Sequence, residues 1–239
     1  MSKIKLLSLD SLKTSPRFMR RSLQFKKESF AQSGEDLIVK FLFDNLGKSK
    51  PSYIDIGAHH PRYINNTAIF YNTGSRGINI EPDPMLFGAF VKDRPQDINL
   101  NIGISDKGGS LDFFRISAPT LNTFSAVEAQ NFAKEGYKIV EKVRIKTASI
   151  NDVIKKNMGT SPDFVNLDAE GLDFEILKSF DFEKYAPLVW CIETISFSVS
   201  GKGKKDKELI KFLEGKGYLL YADTNINSIF VKKDLWVRN

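Results

Sequence analysis

The stretch from Tyr53 to Asp83, YIDIGAHHPRYINNTAIFYNTGSRGINIEPD, leaves this chain few architectures to choose from. Tyr53, Ile54 and Ile56 form a short apolar run of β type that closes in the turn Gly57-Ala58. Gly57 accepts backbone angles that a side chain forbids, so the chain can turn tightly there. Asn65 to Tyr71 fits a crossover helix, and Thr73-Gly74 supplies a glycine stop. Gly77-Ile78-Asn79-Ile80 reads as a second strand with Glu81 at its carboxyl end. Asp55 and Glu81 lie 26 residues apart, the length of one strand–helix–strand unit, whose neighbouring strand ends open on a single crevice. A carboxylate at the second strand end can accept hydrogen bonds from both hydroxyls of a ribose, which points to a nucleoside-containing cofactor. A dinucleotide turn would read G-x-G-x-x-G. Here Gly57-Ala58-His59-His60-Pro61 lacks the second and third glycines, so a pyrophosphate is poorly served. S-adenosylmethionine, which carries no phosphate, asks less of the loop. The competing reading of this stretch alone is an ordinary parallel-sheet turn with a solvated Glu81.

The rest of the chain repeats the alternation. Ser33 is placed to cap a helix running to about Asn45, with Glu35 and Asp36 in its first turn. After Glu81, Pro84 starts a helix to about Lys92, and Asp97 to Ile102 reads as a third strand. Ser110 to Ile116 and Val140 to Ile145 read as strands flanking a helix over Ala126 to Lys134. Ser149 caps a further helix. Phe164 to Leu167 is a strand ending in Asp168-Ala169-Glu170-Gly171, and Leu188 to Ile192 one ending in Glu193. Gly217 to Ala222 and Ser228 to Val231 are too close for a crossover and must form a hairpin. The pattern predicts a doubly wound α/β sheet with one reversed strand.

The 239 residues, 41% hydrophobic and 27% charged, suit one such domain. No apolar run approaches the roughly 20 residues of a membrane span. The single Cys191 sits among Val189, Trp190 and Ile192, which reads as a buried thiol and a reducing, cytoplasmic setting. The net charge of +6 is unevenly spread: residues 1–27 carry eight of the 35 basic side chains and one of the 29 acidic ones. That leaves 27 basic against 28 acidic beyond them, a body near neutrality behind a basic arm over residues 1–29. A nucleic-acid enzyme more usually carries its basic stripe on the body.

With these pieces in place, the chain resembles the FkbM-type S-adenosylmethionine-dependent methyltransferases. The resemblance rests on AQSGEDLIVKFLF, YIDIGAHHP, GINIEPDP, LNIGISD, TASINDVI, FVNLDAEGLDFEILKSF and GYLLYADTNINSIFVKK, in that order. It implies a class I methyltransferase, Rossmann-like fold over residues 30–239: a mostly parallel seven-stranded sheet with a C-terminal antiparallel hairpin. It also implies O-methylation of a small hydroxylated acceptor such as a sugar or sugar nucleotide, as in the synthesis of surface polysaccharides or glycoconjugates. Carried onto matching positions, Asp55, Gly57 and Ala58 would line the methionine part of the cofactor and Glu81 would hold the ribose. Ser105 and Asp106 would lie near the adenine, and Gln32 and Glu35 on a helix closing over the site. The basic arm and the Gly201–Lys207 loop lie outside the resemblance.

Transfer of a methyl to a hydroxyl needs orientation and a place for the proton. His59, His60, Asp168 and Glu170 are the candidates for that chemistry. His59 and His60 are the only histidines in the chain. Asp168 and Glu193 end strands expected to be neighbours, a placement similar to the acidic ligands of metal-dependent O-methyltransferases. A divalent Mg²⁺, Mn²⁺ or Fe²⁺ held by Asp168, Glu193 and His60 is therefore an expectation. So is the plainer alternative, in which Asp168 and Glu170 bond amides at the next helix start. An RNA or protein methyltransferase, suggested by the arm alone, and a non-catalytic cofactor-binding module are the competing functions. No nucleic-acid partner is expected, and a homo-oligomer stays open.

Overall fold

The computed structural model describes residues 26–169, 171–195 and 203–237. Most of the basic arm, Glu170 and the first residues of the Gly201–Lys207 loop therefore lie outside the described residues. Each apolar run becomes a strand: β1 (Tyr53–Ile56), β2 (Gly77–Ile80), β3 (Ile98–Leu100), β7 (Phe164–Leu167), β8 (Val189–Glu193), β9 (Tyr218–Asp223) and β10 (Asn227–Lys232). They form one seven-stranded sheet in the order β3-β2-β1-β7-β8-β10-β9. Every pairing is parallel except the two made by β10, which runs antiparallel to both neighbours. The expected α/β sheet with its C-terminal hairpin is thus present. The order reverses between β1 and β7, so the crevice above those two strand ends is a topological switch point.

Helices cover both faces, as buried parallel strands require. Val39, Leu42 and Phe43 of α1 (Glu35–Asn45) pack with Tyr53, Phe164, Val189 and Ile229 on one face. Ile56, Ile80, Leu167 and Trp190 meet the opposite layer, including Ile176 of the helix Asp173–Ser179. On the α1 face the pleat also carries a row of polar side chains at one level across adjacent strands. In register these are Asn99, Asn79, Asp55, Asn166 and Cys191.

Three sequence expectations need correction. The helix placed at Asn65–Tyr71 is α2, Ala68–Asn72. Asn65 Oδ1 accepts the amides of Thr67 and Ala68, so the polar residues before it serve the turn rather than the helix. Ser33 does not cap α1: Gly34, at φ 87°, precedes the helix, and Ser33 donates its amide to Glu35 Oε2. The third strand is shorter than Asp97–Ile102, because the chain then leaves the sheet. Gly103–Ile104 (β4) pairs with β6 (Ile139–Ala148), which in turn pairs with β5 (Gly109–Ile116) in a separate three-stranded sheet. This second sheet and the aromatic pair Phe113–Phe124, centroids 4.8 Å apart, stand over the carboxyl ends of β2 and β3.

Candidate active site

A cavity of about 420 Å³ opens at the switch point, lined from the carboxyl ends of β1, β2, β7 and β8 and from the β9–β10 turn. Such a volume suits a ligand of cofactor size. The turn after β1 shapes one wall. Gly57, at φ 71°, lies so close to β7 that a Cβ there would stand 1.8 Å from the Asp168 carbonyl oxygen. The glycine is required by this strand–strand approach. The amides of Gly57 and Ala58 both donate to Ile80 O at 3.0 Å, so they face β2 and offer nothing to a pyrophosphate.

Glu81 sits at the end of β2, 4% exposed. Its Oε2 accepts the His59 amide and its Oε1 the Asp83 amide. Burial pushes its carboxyl up to about 8, against those two donors, which favour the ionised form. Asp55 is fully buried. Its Oδ1 accepts from Asn166 Nδ2, and its Oδ2 from Thr67 Oγ1 and Asn65 Nδ2. Asp168 and Glu193 meet at the ends of β7 and β8 and are hydrogen-bonded to each other. Burial raises both above the ordinary carboxylate range. Asp173 and Asp55 add to the rise at Asp168 and Asp168 adds to that at Glu193, whereas the bond to Glu193 favours ionised Asp168, so Glu193 is the stronger holder of a proton in the pair. Asp168 Oδ1 is enclosed and has no hydrogen-bond partner, and neither has His59 Nδ1. Desolvation lowers the His59 pKa and keeps the ring neutral.

The three described non-glycine residues with positive φ, His59 (55°), Ile64 (49°) and Asn225 (73°), all line this cavity. Backbone in that region costs of order 1–3 kcal/mol at each residue and persists where the surroundings impose it. Its concentration around one cavity marks a built site.

Of the residues singled out from sequence, Gln32, Asp55, Gly57, Ala58, His59, Glu81, Asp168 and Glu193 come together around the cavity. Glu35, Ser105, Asp106 and His60 are not among its lining. Glu35 is fully buried and ties α1 to the hairpin, accepting from Thr224 Oγ1 at 2.7 Å and Asn227 Nδ2 at 3.1 Å. Ser105 Oγ accepts the Gly108 amide, and the exposed Asp106 lies 3.8 Å from Lys107. His60 Nδ1 accepts the amides of Arg62 and Tyr63, a turn-forming role. No group of three His, Cys, Asp or Glu able to hold a metal occurs among the described residues. Asp168 and Glu193 supply two carboxyl groups, His60 Nδ1 is engaged elsewhere, and Glu170 lies outside the described residues. This donor set does not fit the expected divalent ion.

Sequence reasoning missed the group that holds the turn. Arg94, 1% exposed, donates through Nε and Nη2 to Pro61 O, through Nη1 to Thr67 Oγ1 and Asn79 Oδ1, and through Nη2 to Asn65 Oδ1. Thr67 and Asn65 in turn donate to Asp55, and Asn79 donates to Asp97. The buried cation therefore faces two carboxylates through one intervening side chain each.

A family profile described as the Methyltransferase FkbM domain matches residues 55–220. No curated protein matches the chain. Among solved structures, a TehB-like SAM-dependent methyltransferase from Corynebacterium glutamicum is 12% identical at TM-score 0.43, over 91% of this chain and 95% of that one. A putative caffeoyl-CoA O-methyltransferase from Staphylococcus aureus is 11% identical at TM-score 0.42, over 93% and 94%. The 1,6-didemethyltoxoflavin-N1-methyltransferase of Burkholderia thailandensis is 10% identical at TM-score 0.40, over 96% and 91%. At such distances the likeness says nothing of acceptor or chemistry. No helix among the described residues is long and apolar enough to cross a membrane.

Proposed function

The chain belongs to the FkbM methyltransferase family, and from that premise we propose that it transfers the methyl group of S-adenosylmethionine to a hydroxyl of a small, sugar-like acceptor. The observation that carries the reading is the Asp168–Glu193 pair at the switch-point cavity, with Asp168 Oδ1 buried and unpartnered. The described lining suits a cationic cofactor: it holds no Lys or Arg to repel one, and Asp55, Glu81, Asp168 and Glu193 offer carboxyl oxygens, of which the raised ones can ionise when a cation arrives. Glu81 would hold the ribose, and the Phe113–Phe124 side of the cavity would receive the adenine. Asp55, fixed by three donors, would face the methionine end.

S-adenosylmethionine supplies an electrophilic methyl group on a sulfonium. The chain's part is to align the acceptor oxygen and take its proton. As the new C–O bond forms and the C–S bond breaks, the hydroxyl proton passes to Asp168, while Glu193 keeps its own proton and stabilises the pair. His59 is a neutral imidazole on the same wall and is the second base candidate. Glu170, outside the described residues, and His60 have no assigned part in this scheme. The test is a methylation assay on a glycoside panel with labelled cofactor. The wild-type chain should bind S-adenosylhomocysteine and label a hydroxyl. Asp168→Asn should keep that binding and lose kcat by about 10²–10⁴-fold, the usual worth of a general base. Full turnover in Asp168→Asn would remove the pair from the chemistry, and absence of cofactor binding in the parent would overturn the reading.

A further inference from the structure

The end of the cavity away from the second sheet has its own chemistry. Its described side chains include five carboxamides: Gln32, Asn66, Asn166, Asn225 and Asn227. Two are turned inward by the framework. Asn66 donates to Asn166 Oδ1 at 2.8 Å, and Asn166 donates to Asp55 Oδ1 at 2.8 Å. Asn227 is oriented by Glu35, and Asn225 is held in a left-handed conformation at the tip of the hairpin. The acidic groups beside them are Asp168 and Glu193, and no Lys or Arg is among the described lining. Lys205, on the approach to this end, is committed: its ammonium donates to Asp223 Oδ1 at 2.6 Å and Asn225 O at 2.9 Å.

Carboxamides donate and accept at once and carry no charge, so they match a group of adjacent hydroxyls. An anion placed among them would meet the Asp168 carboxylate with no described counter-charge, and inside a cavity such repulsion is only weakly screened. We propose that the part of the acceptor entering this site is uncharged and multiply hydroxylated, and that acceptors bearing phosphate or carboxylate next to the reacting hydroxyl are rejected. The site therefore takes a neutral glycosyl terminus in preference to a nucleotide-activated or phosphorylated sugar. This rests on the methyltransferase reading for its location. In a reaction sequence it puts methylation after the step that removes the activating phosphate.

The experiment uses matched probes on the full chain saturated with S-adenosylhomocysteine: methyl hexopyranosides against the corresponding hexose phosphates and uronic acids. Methyl resonances of Ile226 and Ile195, both on the cavity wall, report occupancy without any turnover. The neutral probes should shift these signals at least about tenfold more tightly than the anionic ones, as expected for like charges at close range. Asn225→Lys, at the exposed hairpin tip, should narrow that gap. Equal or tighter binding of the anionic probes would overturn the proposal. Absence of a shift with any probe would overturn the carboxamide site while leaving cofactor binding standing. Neutral binding without methyl transfer would instead overturn the reaction assigned above.

Discussion

Glu81 shows how much one side chain carries here. Its two oxygens already accept the amides of His59 and Asp83, so it sets the turn after β1 whether or not a ribose is present. A nucleoside would add bonds at the remaining lone pairs, each worth about 0.5–1.5 kcal/mol to the neutral carboxyl and about 1.5–3 kcal/mol to the ionised one. Glu81→Ala should therefore weaken S-adenosylhomocysteine binding by about 1–3 kcal/mol in calorimetry. Glu81→Gln, which keeps one acceptor oxygen, should fall between. Affinity unchanged in both variants would place the nucleoside elsewhere. His59 belongs to the same scale. Its positive φ and its amide bond to Glu81 are linked, so the residue proposed as a second base is positioned by the residue proposed to hold the ribose.

At the scale of elements, the turn after β1 is held by a side chain from just past α3 (Pro84–Asp93). Arg94 bonds Pro61 O and two of the three polar residues that orient Asp55, Thr67 and Asn65. Replacing it with Met would leave Asp55 and Asp97 buried without their counter-charge, and breaking a buried ionic group in this way costs about 3–5 kcal/mol. Urea denaturation of Arg94→Met checks this, and a loss below about 1 kcal/mol would show that the two carboxylates do not depend on the guanidinium. The strands, their order of appearance and the hairpin were legible because short apolar runs, strand-end acids and a tight final connection constrain one another. The Arg94 group was not, because its bonds join residues up to 33 positions apart. A signal did exist. YIDI, GINI, INL, FVNL and VWCIE each carry their polar or thiol residue at one level of the sheet. Read strand by strand these look like isolated blemishes, and only the register shows them as a row. The second sheet was hidden for the same reason, since β4 pairs with β6 more than forty residues later. Ser33 misled because local capping explained Ser33 and Glu35 by themselves, whereas Glu35 reaches Thr224 and Asn227.

For the molecule as a whole, the cavity makes stability depend on pH. Glu81 rises to about 8, Asp168 to about 7, and Glu193 rises with it. Between the unfolded carboxylate range and these values the folded chain holds more protons than the unfolded one, so stability falls as pH rises through that window. Each such group contributes up to about 1.4 kcal/mol per pH unit. Thermal unfolding of the ligand-free chain should show Tm declining from about pH 5.5 to 8.5, and S-adenosylmethionine, a cation, should restore more at the upper end. A Tm that is flat or climbing over that range would mean that the carboxyl groups are neutralised by something else. The reversed strand β10 has a different consequence. It begins at the pocket edge where its neighbours end, so the wall it contributes is a contiguous hairpin tip, with no crossover helix attached. Thr224 and Asn227 are tied to Glu35, which leaves Asn225 and Ile226 as the adjustable pair. A library over those two codons would retune acceptor choice as a small exchangeable cassette, without touching the parallel strands β1, β2, β7 and β8.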